Sequence, residues 1–430
     1  MARITRWEPE DPSFWESEGK YHARRNLWIS ITALFLAFAV WQIWSVMATN
    51  LNDIGFNYTE SELFLLTALP GLTGATLRII YTFLVPIFGG RNWTVISTAS
   101  LLIPAVGIGF AVQNPETPFW IMALLAALCG FGGGNFASSM SNISFFYPKK
   151  AKGTALGLNA GIGNLGVSAV QLLSPLVIAF ALFGPLGGAP QYLGDGKEVF
   201  MQNAAFIWVL PIAFTVVAAF FGMDNLPTMK TSIKEQAVIF KNKHTWIMTW
   251  LYTMCFGSFI GYAAAFPLLT RTEFPEVNVL QIAFIGPLLG ALIRPIGGWL
   301  SDKLGGAFVT FWDILLLIGS TLGVMYFYNS GNFTGFLIMF IIVFIATGIA
   351  NGSTFRMIPF IFEQKEAASV IGFTSAIAAY GAFLIPSLFG WSIDVTGMAN
   401  LALGIFIVYY IVSLALHWYY YSRKGAEVKC

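Results

Sequence analysis

Seventeen residues of this chain occur twice in closely related form. Gly74 to Gly90 reads GATLRIIYTFLVPIFGG, and Gly290 to Gly306 reads GALIRPIGGWLSDKLGG. Each copy has Gly-Ala, one free position, Leu or Ile, then an arginine, and each ends in a Gly-Gly pair eleven and twelve residues past that arginine. The second copy follows the first by half the length of the chain. Arg78 and Arg294 both fall in apolar stretches long enough to cross a bilayer, where a charge costs from about 3 to well over 10 kcal/mol. A chain that accepts this cost twice, at matched places, is expected to fold as two similar halves and to use both arginines.

The apolar stretches continue along the chain. Residues 27–49, 62–87, 93–113, 118–147, 153–183, 200–222, 245–269, 280–301, 307–328, 333–357, 367–390 and 399–422 each read as a membrane span, separated by polar or helix-breaking clusters. Only 10% of residues are charged, well under the share of about 25% in soluble domains. The expected class is therefore an all-α membrane protein of twelve transmembrane helices in a lipid bilayer. The segment up to Asn26 lacks an apolar core and is not a signal peptide. Eighteen of the 23 Lys and Arg lie in the tails and in the loops on one side, while only Lys197 and Arg271 lie in loops on the other. The positive-inside rule then places both termini in the cytoplasm. The expected divisions are a cytoplasmic segment 1–26, a six-helix bundle 27–223, a linker 224–244 and a second bundle with a short tail, 245–430. The SIKEQ run from Ser232 to Gln236 is compatible with a short surface helix or a solvated linker.

The repeat extends past the arginines. Asn135 in span four and Asn351 in span ten stand at the same offset as Arg78 and Arg294. Spans five and eleven carry GLNAGIGNLG (Gly157 to Gly166) and GFTSAIAAYG (Gly372 to Gly381). Such runs pack helices closely or bring backbone near a ligand. The GxGxxG spacing at Gly161, Gly163 and Gly166 is not a dinucleotide site, because it lacks a βαβ unit. The three cysteines form no CxxC or Cys/His cluster, so neither disulfides nor a metal is expected. No nucleophile–base set points to an enzyme, and nothing points to a cofactor or to nucleic acid. Nearly all acidic residues lie in loops; Asp313 in span nine is the exception, and Arg356 near the end of span ten is its expected partner. The two central arginines then lack an obvious protein counterion. A guanidinium fork fits a planar oxyanion through two parallel hydrogen bonds, so the pair reads as an anion clamp, with structural carbonyl partners as the bland alternative. Two empty positive sites in low dielectric are costly, which favours exchange of one anion for another over proton symport; Asp313 keeps symport open.

LTALPGLTGATLRIIYTFLVPIFGGRNWT (Leu66 to Thr94), CGFGGGNFASSMSNISFFYPK (Cys129 to Lys149) and ALGLNAGIGNLGVS (Ala155 to Ser168) resemble the nitrate/nitrite porter family of the major facilitator superfamily, in particular its bacterial NarK-type members. FGSFIGY (Phe256 to Tyr262), NGSTFRM (Asn351 to Met357) and WEPEDPSFW (Trp7 to Trp15) are similar too. The resemblance covers essentially the whole chain. It implies the major facilitator fold of two pseudo-symmetric six-helix bundles, a monomer in the bacterial inner membrane, and nitrate and nitrite as partners bound between the bundles. Arg78 and Arg294 match the family's anion-binding arginines. Phe136, Asn164, Tyr252 and Phe355 match residues lining its site, as do Phe38 and Ser375. Gly157, Gly161, Gly163, Gly166, Gly372 and Gly381 correspond to its hinge segments, and Asp302 to a gate in the loop after span eight. The short connection from Glu363 to Ala367 and the charges Asp313 and Arg356 depart from the family pattern. The expected function is nitrate/nitrite antiport by alternating access, with proton-coupled nitrate uptake and a non-transporting anion receptor as alternatives.

Overall fold

A computed structural model describes the chain apart from residues 1–3, 5, 195, 227–236 and 429. The SIKEQ run lies outside the described residues. Among the described residues, twelve helices are long and apolar enough to cross a membrane: Pro12–Met47, Glu60–Phe88, Gly90–Ala111, Phe119–Phe146, Lys149–Val177, Asn203–Gly222, Lys243–Glu273, Val279–Leu304, Gly306–Asn329, Phe333–Ile361, Ser369–Thr396 and Asn400–Ser422. These are spans one to twelve below. Large apolar side chains such as Phe214, Ile103 and Val408 stand exposed on them, as a lipid-facing surface requires.

Local chemistry sets the ends. Span one begins earlier than its apolar run, because Asp11 accepts a hydrogen bond from the Ser13 amide at 2.9 Å and Pro12 occupies the first turn. The doubled Gly-Gly pair has a backbone role. Gly89 adopts φ 84° and ψ 149° before span three, and Gly305 adopts φ 92° and ψ 136° before span nine. That region is essentially reserved for glycine, so both copies of the repeat end in the same turn. Between spans five and six, Gln191–Tyr192 pairs antiparallel with Glu198–Val199 in a small hairpin, where the sequence suggested only a loop.

The chain forms two compact units, residues 1–58 with 69–231 and residues 59–68 with 232–430. The first turns of span two thus group with the second unit. There Phe64 packs against Phe389 at a centroid distance of 6.4 Å, and the Ser61 hydroxyl donates to Asp394.

In the first unit the N-terminal segment is tied down. The Trp7 indole donates to the Phe145 carbonyl at 3.0 Å, and Glu10 accepts from the Lys149 amide at 2.9 Å. After span six, Asp224 Oδ2 accepts from Arg25 at 2.7 Å and Asn26 at 2.9 Å and stands 2.9 Å from His22 Nδ1. Burial opposes the charge of Asp224, but the hydrogen bonds from His22, Arg25 and Asn26 and the charge of Arg25 hold its carboxyl below the ordinary value. A carboxyl lowered in this way contributes stability that is complete above the unfolded value, near about pH 4, and is lost as pH falls through the folded value. Asp224→Asn is expected to cost about 1–3 kcal/mol at neutral pH. Thermal melts in detergent at pH 7 and below about pH 4 check this: the gap between wild type and variant should narrow on acidification.

Candidate anion-binding site

Each unit holds one arginine in a cradle of aromatic rings. In the first unit Arg78 is fully buried. Its Nε donates to the Gly133 carbonyl at 2.8 Å, and its guanidinium carbon lies 5.1 Å from the Trp41 ring and 4.7 Å from the Phe136 ring. Phe38 packs edge-on against both Trp41 and Phe136. A cation over an aromatic face is stabilised by about 0.5–2 kcal/mol, most when desolvated. Asn164 on span five is also buried; its Nδ2 donates to the Ala160 carbonyl, while its buried Oδ1 has no hydrogen-bond partner among the described residues.

The cradle depends on the glycine four residues before the arginine. A Cβ on Gly74 would stand 2.6 Å from Trp41 Nε1 and 3.1 Å from the Gly133 Cα. Its absence lets span one lay Trp41 across span two, with span four close behind. The indole N–H then donates to the Pro70 carbonyl at 2.7 Å, which fixes the ring.

The second unit repeats the device with different rings. A Cβ on Gly290 would stand 2.8 Å from the Phe259 ring and 2.8 Å from the Phe344 carbonyl. Arg294 lies 5.8 Å from both Phe256 and Phe259. It is partly exposed and makes no ion pair among the described residues. Beside it Tyr252 stacks on Phe355 at 4.4 Å and on Phe256 at 5.7 Å. A π-helical turn, Thr253–Gly257, shifts the register of span seven between Tyr252 and Phe256. Ser375 is buried and donates to the Gly372 carbonyl at 2.9 Å.

Thus Arg78, Phe136 and Phe38 come together in one unit, and Arg294, Tyr252 and Phe355 share a neighbourhood in the other. Asn164 and Ser375 lie on spans five and eleven with their own backbone partners. Sequence reasoning gave no role to Trp41, Phe256 or Phe259. A signal was present: Phe38 with Trp41, and Phe256 with Phe259, are aromatic pairs of equal spacing. Their offset exceeds that of the arginines by two positions, so superposing the repeats on Arg78 and Arg294 does not align them.

The hinge glycines divide into two groups. A Cβ on Gly163, Gly166 or Gly381 would collide with span one or span seven, within 2.0–2.7 Å of the nearest atom. At Gly157, Gly161 and Gly372 it would meet nothing within 4 Å. Close packing therefore explains only the first group. One expectation about charges is corrected. Arg356 pairs through Nε with Asp302, not with Asp313. Asp302 lies in the last turn of span eight, where solvent reaches it, whereas Asp313 is buried two turns inside span nine.

Adding one methyl group tests the cradle. Gly74→Ala should lower stability by about 1–3 kcal/mol through overpacking. Gly157→Ala should leave it unchanged or raise it, since alanine exceeds glycine in a helix by up to about 1 kcal/mol. Melting of the two purified variants gives the comparison, and equal losses would contradict it.

Comparison with known proteins agrees with this architecture. Residues 27–386 match the model of the Major Facilitator Superfamily. The chain is 48% identical to the nitrate/nitrite transporter NarU of Escherichia coli (strain K12), over 98% of this chain and 97% of that one. It is 44% identical to the probable nitrate/nitrite antiporter NarK2 of Thermus thermophilus, over 99% and 98%. Among solved structures it is similar to a bacterial homologue of the human lysosomal transporter Spinster in an inward-facing, unoccupied conformation. The TM-score is 0.72 at 15% identity, with 93% of this chain and 97% of that one covered; this likeness concerns the fold alone. The chain belongs to the major facilitator superfamily and, within it, to the NarK-type nitrate/nitrite porters.

Proposed function

We propose that the protein exchanges nitrate for nitrite across a bacterial inner membrane by alternating access, as a monomer with both termini in the cytoplasm. The observation that carries the reading is the pair of intramembrane arginines, each held against aromatic rings by a glycine one turn earlier. The names of the full-length relatives support the substrates, and their bacterial sources support the membrane.

In this reading Arg78 and Arg294 are the anion-binding groups, one from each half. Nitrate and nitrite are small planar oxyanions. A guanidinium offers them two parallel N–H donors in one plane, while flat aromatic walls suit their faces and exclude water. Phe136 and Phe38 serve as walls beside Arg78, and Tyr252 and Phe355 beside Arg294. Asn164 and Ser375 supply polar contacts. Binding draws charge-neutralising ligand into a low-dielectric site, so an occupied carrier reorients more easily than an empty one. Exchange follows, because each return is made with an anion bound. Gly157, Gly161 and Gly372, which packing does not explain, serve as hinges in this cycle. Asp302, held by Arg356, serves as a gate.

Arg78→Lys tests the clamp, since it keeps the charge and loses the planar fork. In proteoliposomes loaded with nitrite, wild type should accumulate nitrate by counterflow. The variant should reach the membrane and lose most of that flux, by about tenfold or more, equivalent to about 1.4 kcal/mol. Near-normal counterflow in the variant would make Arg78 structural. Absence of counterflow in the wild type would end the exchange reading.

A further inference from the structure

Span nine buries an acid that the anion site leaves unused. Asp313 is 5% exposed, and both its carboxyl oxygens are buried without a hydrogen-bond partner among the described residues. Its surroundings follow from the pairing of spans nine and ten. A Cβ on Gly306 would meet Met357, Thr310 bonds Ser353 at 2.7 Å, and a Cβ on Gly323 would meet Met339. These contacts fix an antiparallel register that sets Asp313 level with Ala350, one residue from Asn351. The side-chain amide of Asn351 is also fully buried, and neither of its polar atoms has a hydrogen-bond partner among the described residues.

The first half shows what this place holds without an acid. At the offset that relates Arg78 to Arg294, Thr94, Ser97 and Asn135 stand where Thr310, Asp313 and Asn351 stand in the second half. There the Asn135 amide donates to the Ser97 carbonyl at 3.4 Å, and the Ser97 hydroxyl to the Thr94 carbonyl. The cluster is neutral. A serine suffices to build the fold at this crossing, so packing does not call for the carboxyl.

Charged and titratable groups on the elements around span nine are engaged elsewhere. On span eight, Arg294 lies over Phe256 and Phe259, Lys303 over Trp299, and Asp302 pairs with Arg356 of span ten. On span twelve and the chain after it, His417 bonds Ser422, Tyr410 bonds Ser258 and Tyr262, and Arg423 lies over Tyr419. His244 bonds Tyr421, and the Cys430 carbonyl accepts from the Ala307 amide. On span seven, the Cys255 thiol lies 3.4 Å from the Thr354 hydroxyl and within electrostatic reach of Asp313, without a hydrogen bond to it among the described residues. None of them pairs with Asp313 among the described residues. A carboxylate removed from water with no partner is strongly disfavoured, and such groups take up a proton instead.

We propose that Asp313 is a proton-binding site whose occupancy gates anion exchange. The carboxyl carries a proton in the structure described. Losing it to water leaves an unpaired carboxylate in the buried interface of spans nine and ten, and that form does not complete the cycle. The inference rests on the transport reading for its consequence, but not for the protonation itself.

Two measurements test it. The first is nitrate/nitrite counterflow in proteoliposomes at equal internal and external pH, from about pH 5 to pH 8. Wild-type exchange should fall as pH rises, approaching tenfold per unit beyond the titration point. Asp313→Asn, which cannot ionise, and Asp313→Ser, which installs the first-half residue, should give flat profiles. A flat wild-type profile, or a wild-type slope retained in either variant, overturns the gating. The second is infrared spectroscopy of the purified protein. A carbonyl stretch of a protonated carboxyl, shifted in heavy water and missing in Asp313→Asn, is expected at the acidic end. Its absence from the wild type overturns the site whether or not the variants fold. Failure of all wild-type counterflow with the band present would count against the transport reading and leave the proton site standing.

Discussion

The architecture depends on keeping a guanidinium inside an apolar helix bundle. Arg78 is sealed from water and Arg294 is only partly exposed deep in its span, so each needs electron-rich neighbours at short range. The chain meets the need with one glycine. Because Gly74 and Gly290 stand a turn before their arginines, a ring from span one or span seven can lie flat across the helix. The same omission draws a third helix in, since span four meets span two at Gly133 and Gly74, and span ten meets span eight at Gly348 and Gly290. Close helix crossing and cation stabilisation are thus one event. A side chain at either glycine would push the ring and the crossing helix away together.

The copies then diverge in ways that affect how firmly each arginine is held. Trp41 carries an N–H and uses it on the Pro70 carbonyl. Phe259 has no such donor, so its ring is placed by packing alone. Span two has its prolines two turns to either side of Arg78, whereas in span eight Pro295 follows Arg294 directly. A proline there leaves the Ala291 carbonyl without its helical donor and loosens the helix beside the charge. Arg78 is fully buried with its ring fastened; Arg294 is partly exposed on a softer helix. The first half thus holds its arginine beside a ring fixed by a hydrogen bond, and the second beside a ring fixed by packing and next to a proline.

Much of this was legible in the residues. Twelve spans followed from hydropathy, and the arginines stood out because charge is rare in such segments. The Gly-Gly pairs were visible as a repeat, and only the backbone revealed why: both occupy a conformation closed to other residues. The aromatic cradles were hidden by a small register difference between spans one and seven, where span seven carries a π-helical turn between Tyr252 and Phe256. Asp313 and Arg356 looked like partners because they are both charged near the same end. Helix register separates them, since Thr310, not Asp313, is level with Ser353. Sequence distance from a helix end gives depth to within a turn but not the neighbour across the interface.

The Asp302–Arg356 pair illustrates what a surface charge can do in such a bundle. Both side chains are about half exposed, so the pair adds at most about 1 kcal/mol to stability. In the matching places the first half has Pro86 and Met140, and it reaches the same turn at Gly89 without the pair. The pair is therefore not needed to form the turn. What it does is join the end of span eight to the end of span ten, adding to the backbone contact already made at Gly297 and Gly352. An interaction this weak holds one arrangement without trapping it, because solvent can replace either partner. A buried ion pair in the same place would cost about 3–5 kcal/mol to break. A half-exposed pair at a helix end therefore ties spans eight and ten together reversibly and at little energetic cost.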